Sequence, residues 1–337
     1  MHTEKELFDV IIVGAGPTGL FGVFYAGMRG MKTKVIEALP DAGGQLTALY
    51  PEKDIFDVAG FPRVGAKQLV EQCKEQADMA NPGAVYVFGT RVEELNKLED
   101  GTFELVTQTG DKHYGRSVLL SAGIGAFEPN RLPGDPTKEY EQKGAFFNVT
   151  NLERYAGKNV LVVGGGDSAV DYSLMVEPLA KSVTLIHRRD GFRAHEESLK
   201  KLAASRVNVQ VFHELRIVTG DGNWVQTATI FDNRSNEATT LDVDFIVLGT
   251  GFKASLGKML DWGLEIEGKK QISVNSKGET NIPGVYSAGD IAYYPGKLRL
   301  IATGFGEAAT AINNAKAFID PASAAFPGHS SEASNKK

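Results

Sequence analysis

The chain has 337 residues, 42% of them hydrophobic and 23% charged, a composition typical of a water-soluble α/β protein of about two domains. The net charge of −6 argues against a general surface for nucleic acids or other polyanions, so any basic site must be local. The apolar runs are too short to cross a bilayer and the first residues lack the pattern of a secretory signal, so we expect a cytoplasmic location.

The first predicted element is a nucleotide-binding turn. A buried type of strand at residues 10–13 precedes Gly14, Gly16 and Gly19 at the G-x-G-x-x-G spacing, and a helical pattern follows. The first glycine permits the tight turn, the second lets the backbone approach a pyrophosphate, and the third lets helix and strand pack closely. The next strand ends at Glu37, 23 residues after Gly14, where a carboxylate accepts hydrogen bonds from an adenosine ribose. Together these features predict a dinucleotide site.

Cys73 is the only cysteine of the chain, and it lies in the helical pattern LVEQCKEQADMA. A single thiol can form neither an internal disulfide nor a thiolate metal site. We therefore interpret Cys73 as a buried, inert side chain, and we expect no metal site.

The glycine pattern recurs in the second half of the chain. A strand at residues 160–163 precedes Gly164 and Gly166, and Ala169 takes the third position. The turn VGGGDSA that contains them also includes Asp167 and Ser168. We expect this turn to bind the pyrophosphate of a second dinucleotide.

Basic residues take the place of the acid after the second strand of this copy. The position 23 residues after Gly164 is His187, and Arg188, Arg189 and Arg193 follow it in the run IHRRDGFR. An acid would repel a 2′-phosphate, whereas guanidinium groups bind one with paired hydrogen bonds. The run therefore predicts NADP(H) as the ligand, the alternative being a solvated charge run on a loop.

The remaining segments predict two domains. Strand-like runs at residues 80–123 and 206–249 indicate a β-rich insert in each nucleotide-binding unit. Glycine-rich segments at residues 123–129 and 249–255 are the places where the chain can cross between domains. We predict an α/β fold of two Rossmann-like, three-layer ββα domains: a discontinuous first domain of residues 1–123 and 250–337, and a second of residues 124–249.

Two dinucleotide sites of unlike chemistry indicate FAD in the first domain and NADP(H) in the second, because flavin N5 accepts the hydride that a nicotinamide gives up. In the loop GGQLTALYPEKD, Gln45 can bond a polar flavin edge and Tyr50 can stack on the ring, unless Tyr50 is an ordinary loop aromatic. Asp290, after the strand in GVYSAGDIA, can bond a ribityl hydroxyl or simply cap a turn. The segment GFGEAATAINNAKAFI predicts a final helix.

The paired VGAGPTG and VGGGDSA motifs, the HRRDGFRAH run and the SAGD element resemble the thioredoxin reductase fold family. Thioredoxin reductases carry a Cys-x-x-Cys pair before the second glycine motif, whereas residues 145–164 contain no cysteine here. Over essentially its whole length the chain is similar to the thioredoxin-reductase-like ferredoxin–NADP(+) reductases. The motifs that carry this similarity are GGQLTALYPEKDIFDVAGFP, AGDIAYYPGKL and the PGHSS-type tail.

The resemblance implies a set of FAD contacts and a cover over the flavin ring. Tyr50 is implied to stack on one face and His329, from the partner subunit of a homodimer, on the other. Composition alone would make His329 a solvated end residue. The positions that match FAD contacts in the family are Thr18, Glu37, Gln45, Tyr50, Val92, Phe127, Asp290 and Ser331.

The resemblance also implies an activity, in which FAD mediates hydride exchange with NADP(H) and one-electron transfer to or from ferredoxin or flavodoxin. It needs no redox-active disulfide and no side-chain acid–base catalysis. Lys297 and Arg299 are candidates for docking an acidic ferredoxin, although a plain solvated loop is the favoured explanation for them. Two alternatives stay open: a flavoprotein reductase of a small disulfide or quinone, and a non-catalytic flavin or NADPH sensor.

Overall fold

The computed structural model describes residues 6–268 and 270–324. These residues form two compact units. The first unit comprises residues 6–48, 53–127 and, apart from residue 269, 254–324. The second comprises Leu49–Glu52 and Glu128–Lys253.

The strands of the described residues are, in chain order, β1 (Leu7–Val13), β2 (Thr33–Ile36), β3 (Asp54–Ile55), β4 (Val64–Gly65), β5 (Val85–Val87), β6 (Val92–Lys97), β7 (Phe103–Thr107), β8 (Lys112–Leu120), β9 (Ala126–Pro129), β10 (Ala145–Phe146), β11 (Asn159–Val163), β12 (Ser182–His187), β13 (Asn208–Val211), β14 (His213–Gly220), β15 (Val225–Asp232), β16 (Ala238–Asp242), β17 (Phe245–Leu248), β18 (Phe252–Ser255), β19 (Ile266–Glu267), β20 (Gln271–Ser273), β21 (Val285–Ser287) and β22 (Ala292–Tyr293).

The α-helices of the same residues are α1 (Pro17–Met28), α2 (Gln45–Ala48), α3 (Ala66–Ala80), α4 (Asp167–Val176), α5 (Glu196–Ala204) and α6 (Ile301–Ile319). Short 3₁₀ turns lie at Lys138–Tyr140, Leu152–Tyr155, Gly257–Asp261 and Gly289–Ile291. None of these helices combines the length and the apolar character that a membrane span requires.

The sheet of the first unit places the first glycine turn. Its parallel strands run in the order β5, β2, β1, β8 and β21, and β7 and β6 extend it as antiparallel strands beyond β8. The side chains of Val10, Ile12 and Leu119 are fully buried in it, as expected where helices cover the faces of a parallel sheet. Helix α1 leaves the end of β1 and packs against α3 and α6, so the turn between β1 and α1 opens at the carboxyl edge of the sheet.

The second unit repeats this arrangement. Strands β10, β17, β11, β12 and β13 form a wholly parallel sheet, and β14, β15 and β16 form a separate antiparallel sheet. Leu161 and Ile246 are fully buried in its core, and α4 follows β11 as α1 follows β1. The predicted α/β class with two Rossmann-like sheets is confirmed.

Two details of the sequence prediction were wrong. The strand-like runs at residues 80–123 and 206–249 are not wholly inserts, because β5, β8, β13 and β17 belong to the parallel sheets. A short apolar run looks the same in either kind of sheet, and only long-range pairing decides. The loop at residues 43–54 also contains α2, which begins at Gln45.

Close packing of α1 on the end of α3 gives a stability test. A Cβ at Gly27 would lie 2.3 Å from the carbonyl oxygen of Ala80. Helix propensity alone would make Gly27→Ala stabilising by about 1 kcal/mol. We expect the clash to dominate and to lower the free energy of unfolding by about 1–3 kcal/mol, measured by urea denaturation.

Gly83→Ala is the matched control, since no atom lies within 4 Å of the Cβ position there. If Gly27→Ala is as stable as this control, the two helices do not approach as closely as described.

Candidate functional site

The first glycine turn is closed on two sides and open on the third. A Cβ at Gly14, where φ is +104°, would lie 2.6 Å from the carbonyl oxygen of Ser121. One at Gly19 would lie 1.9 Å from the carbonyl oxygen of Gly14. Gly16 has no atom within 4 Å of its Cβ position, so an anion can approach the backbone at the start of α1. This is the division of roles that a pyrophosphate-binding turn requires.

Glu37 is held beside this turn. Its side chain is buried, and its two carboxylate oxygens accept hydrogen bonds from the N–H of Ala15 at 2.6 Å and of Leu39 at 2.8 Å. Burial raises the pKa of Glu37, and the backbone hydrogen bonds oppose that rise. Because a carboxylate has about four lone-pair sites, acceptor capacity remains for the hydroxyls of a ribose.

Three of the predicted FAD contacts lie around one turn of the first unit. The amide of Gln45 donates to the carboxylate of Asp290 at 3.4 Å, although 245 residues separate the two. Thr18 packs against Gly289, the residue before Asp290, since a Cβ at Gly289 would lie 2.9 Å from the Thr18 hydroxyl oxygen. The structure therefore brings together three predicted contacts that lie far apart in the sequence.

The other predicted FAD contacts are more scattered. Val92 is buried in the core of the first unit, and Tyr50 belongs to the Leu49–Glu52 segment of the second unit. In that unit the Tyr172 hydroxyl donates to the carbonyl oxygen of Leu49 at 2.9 Å. The predictions that fall outside the described part are His329, Ser331 and the side chain of Phe127.

The second unit contains a cavity of about 770 Å³ at its glycine turn. Ala169 packs behind the turn, because a Cβ added at Gly164 would lie only 2.8 Å from the Cβ of Ala169. Its contribution to the site is therefore close packing. The predicted nucleotide-binding residues that line the cavity are Gly164, Gly166, Asp167, Ser168, His187, Arg188, Arg189 and Arg193. A size of this order suits a cofactor site.

Backbone contacts hold the basic run against the second turn. The N–H of Arg193 donates to the carbonyl oxygen of Gly165 at 2.7 Å, and Asp167 accepts from the N–H of His195 at 2.9 Å. The His187 ring covers Gly165, where a Cβ would lie 2.1 Å from a ring atom. Burial lowers the pKa of His187, and the charges of the neighbouring arginines lower it further. The positive charge at this end of the cavity therefore comes from guanidinium groups.

Sequence reasoning missed the contribution of the antiparallel sheet. Arg216, on β14, also lines the cavity, with its guanidinium 4.0 Å from the centroid of the Phe231 ring. It donates a hydrogen bond to Asn236, which fixes its direction. One signal was available: β14 begins directly after β13, so it leaves from the same edge of the sheet as the basic run.

The prediction that Lys297 forms a docking surface was wrong. Its side chain is only 4% exposed and is paired with Glu307, at 2.5 Å. A lysine in a glycine- and proline-containing loop looks solvated from sequence, and its partner lies in α6. Arg299 is exposed and stays a prediction.

Cys73 is buried in α3, and burial raises its pKa to about 11. The prediction of a buried thiol is confirmed, and its inertness stays a prediction. Among the described residues, no group of three His, Cys, Asp or Glu side chains is arranged to hold a metal ion.

Comparisons with known proteins agree with this geometry. The family model for pyridine nucleotide-disulphide oxidoreductases matches residues 8–315. The chain is 76% identical to a ferredoxin–NADP reductase of Symbiobacterium thermophilum over 336 residues, which is 100% of both chains. It is 53% identical to one of Halalkalibacterium halodurans over 330 residues, 98% of this chain and 99% of the relative.

Solved structures show the same fold. The thioredoxin reductase of Lactococcus lactis, in its FR conformation, superposes with a TM-score of 0.74 at 24% identity, over 93% of this chain and 99% of that one. At this identity the similarity concerns the fold alone.

The buried thiol gives a second test. Because the pKa of Cys73 is raised to about 11, we expect a thiol-labelling disulfide reagent at pH 8 to react at least about 100-fold more slowly with the native protein than with the unfolded chain. Cys73→Ala should abolish labelling in both states. Immediate, stoichiometric labelling of the native protein would show an accessible thiolate.

Proposed function

Because the chain belongs to the pyridine nucleotide-disulphide oxidoreductase family and, within it, to the ferredoxin–NADP reductases, we propose that it uses FAD to exchange electrons between NADP(H) and a ferredoxin. The observation that carries the proposal is the cavity of the second unit, which gathers an open glycine turn and the three arginines of the basic run in one place. Few ligands other than a 2′-phosphorylated dinucleotide need both.

The second unit is the proposed NADP(H) domain. Backbone amides at the start of α4 face the pyrophosphate, and Arg188, Arg189 and Arg193 surround the 2′-phosphate. Arg216 adds a further cation, which contacts the Phe231 ring and donates a hydrogen bond to Asn236. The charges of this cavity suit NADP(H) better than NAD(H), because a 2′-phosphate accepts charge-assisted hydrogen bonds from guanidinium groups that an unphosphorylated ribose cannot accept.

The first unit is the proposed FAD domain. The open backbone at Gly16 would receive the pyrophosphate, Glu37 would accept from the ribose, and Gln45 and Asp290 would orient the ribityl chain or the ring. When bound, FAD supplies the step between two-electron and one-electron chemistry. The side chains themselves bind and orient, so we expect catalysis to come from positioning.

A sulfur relay has no place in this proposal. The chain has one cysteine, and Cys73 is buried with a raised pKa. A redox-active dithiol requires two cysteines. This favours ferredoxin over a disulfide as the electron acceptor.

Further parts of the proposal rest on the family resemblance and on composition. We propose a cytoplasmic homodimer that also accepts flavodoxin, in which Tyr50 and the partner's copy of the tail cover the flavin. In the tail, His329 would supply the ring contact and Ser331 a polar one. Val92 and Phe127 would complete the FAD site.

Side-by-side assays test the proposed function. NADPH oxidation by the purified holoprotein should be fast with ferredoxin, which then reduces cytochrome c, and should be measurable with flavodoxin. Thioredoxin and small disulfides should give only background rates, because no dithiol is available to reduce them. Faster turnover with a disulfide than with ferredoxin would overturn the assignment.

The arginines predict nucleotide selectivity. Replacing Arg188 and Arg189 together by alanine should raise KM for NADPH about 100-fold, since the loss of one charged hydrogen bond from each exposed arginine, at about 1.4 kcal/mol each, multiplies KM about tenfold twice. KM for NADH should change by less than about 3-fold, because NADH carries no 2′-phosphate.

Arg206→Ala is the control, as Arg206 is exposed and pairs with Glu177 rather than lining the cavity. Equal losses for NADPH and NADH would place the 2′-phosphate elsewhere.

A further inference from the structure

A buried ion pair lies beside the turn that carries Asp290. The ammonium of Lys297 is 2.5 and 2.6 Å from the two carboxylate oxygens of Glu307, and the two side chains are 4% and 13% exposed. The Tyr294 hydroxyl donates to the same carboxylate at 2.7 Å. Removing two charges from water is unfavourable, and apolar side chains of similar volume often give equal stability. The pair therefore calls for a role other than stability.

Both members of the pair bind the backbone of one glycine. The ammonium of Lys297 donates to the carbonyl oxygen of Gly289 at 2.8 Å, and the N–H of Gly289 donates to Glu307 at 2.8 Å. Gly289 has φ of +77°, a conformation that favours glycine because other residues are strained there. Charge-assisted hydrogen bonds to both of its backbone groups keep this residue in a single orientation.

The fixed glycine determines the direction of Asp290. The carbonyl that Lys297 binds belongs to the peptide that joins Gly289 to Asp290, and the Gln271 amide donates to the carbonyl oxygen of Asp290 at 3.0 Å. The peptides on both sides of Asp290 are thus bonded. The aspartate side chain meets Gln45 at 3.4 Å.

We propose that Lys297 and Glu307 are positioning residues, which fix the peptide between Gly289 and Asp290 so that the Asp290 carboxylate is pre-oriented for FAD. The inference rests on the proposed function, in which the first unit holds FAD. The competing explanation is that the Lys297–Glu307 ion pair is a structural staple, which only attaches the loop before α6 to that helix and has no effect on Asp290.

A double-mutant cycle separates the two explanations. Lys297→Met and Asp290→Asn are made singly and together, and FAD is titrated into each full-length, flavin-free protein while quenching of flavin fluorescence gives Kd. We expect Lys297→Met to weaken FAD binding about 10-fold, but less than about 2-fold when Asp290→Asn is already present, because residues that act through each other are not additive.

Two further variants complete the design. Lys316 lies in α6, the helix that contains Glu307, and forms a partly exposed ion pair with Asp320. Lys316→Met removes that pair and should leave FAD affinity unchanged. Glu307→Gln keeps the shape of the side chain, so the same cycle with Asp290→Asn remains available if Lys297→Met does not fold. We expect Lys297→Met and Glu307→Gln, but not Lys316→Met, to shift the visible absorption bands and the midpoint potential of the bound flavin.

The outcomes separate this inference from the proposed function. Equal losses of FAD affinity with and without Asp290→Asn, or no loss at all, would identify a staple and overturn the inference while wild-type ferredoxin reduction stands. A wild-type chain that binds no FAD would overturn both.

Discussion

The structure depends on one constraint, that the negative charge of a nucleotide must be met by backbone N–H groups where a buried parallel strand turns into a helix. Each unit meets it with the same division of labour. The outer positions of each turn are filled by packing, at Gly14 and Gly19 in one unit and at Gly164 in the other, whereas the middle glycines, Gly16 and Gly166, have no atom closer than 3.9 Å to their Cβ positions. The close approach of helix and strand thus leaves room only where the ligand needs it, and the apolar strands beneath keep the turn rigid.

Around this shared turn, charge distinguishes the two sites. Glu37 is buried and accepts hydrogen bonds from backbone N–H groups, which fixes its carboxylate in the place where we propose that it accepts from ribose hydroxyls. In the second unit His187 takes the corresponding place and Arg188 and Arg189 follow it directly, and the pKa of His187 is lowered by burial and by these charges. An acceptor suits an unmodified ribose and cations suit a phosphorylated one, so similar folds bind different dinucleotides.

The parts of the fold that could be predicted are those coded by neighbours in the sequence. The strand, the glycines, the helix and the residues that end or follow the next strand lie within residues 10–37 in the first copy and 160–189 in the second. The turns and the contrast between Glu37 and the arginines could therefore be predicted. The rest depends on partners far along the chain. The membership of β5 and β13 in parallel sheets, the contact of Arg216 with the cavity and the pairing of Lys297 with Glu307 are all set by tertiary packing. Lys297 is the clearest example. From the sequence it looks like a solvated loop lysine, because its partner Glu307 lies in α6 and is brought to it only by the fold.

We propose that one glycine turn holds a flavin and that the other binds the NADPH that reduces it. An anaerobic titration of the purified holoprotein with NADPH, followed through the visible flavin absorption, tests this directly. We expect a yellow protein whose absorption is bleached by about one equivalent of NADPH and restored by oxidised ferredoxin. A chain that stays colourless after reconstitution with FAD, or a bound flavin that NADPH does not bleach, would contradict it.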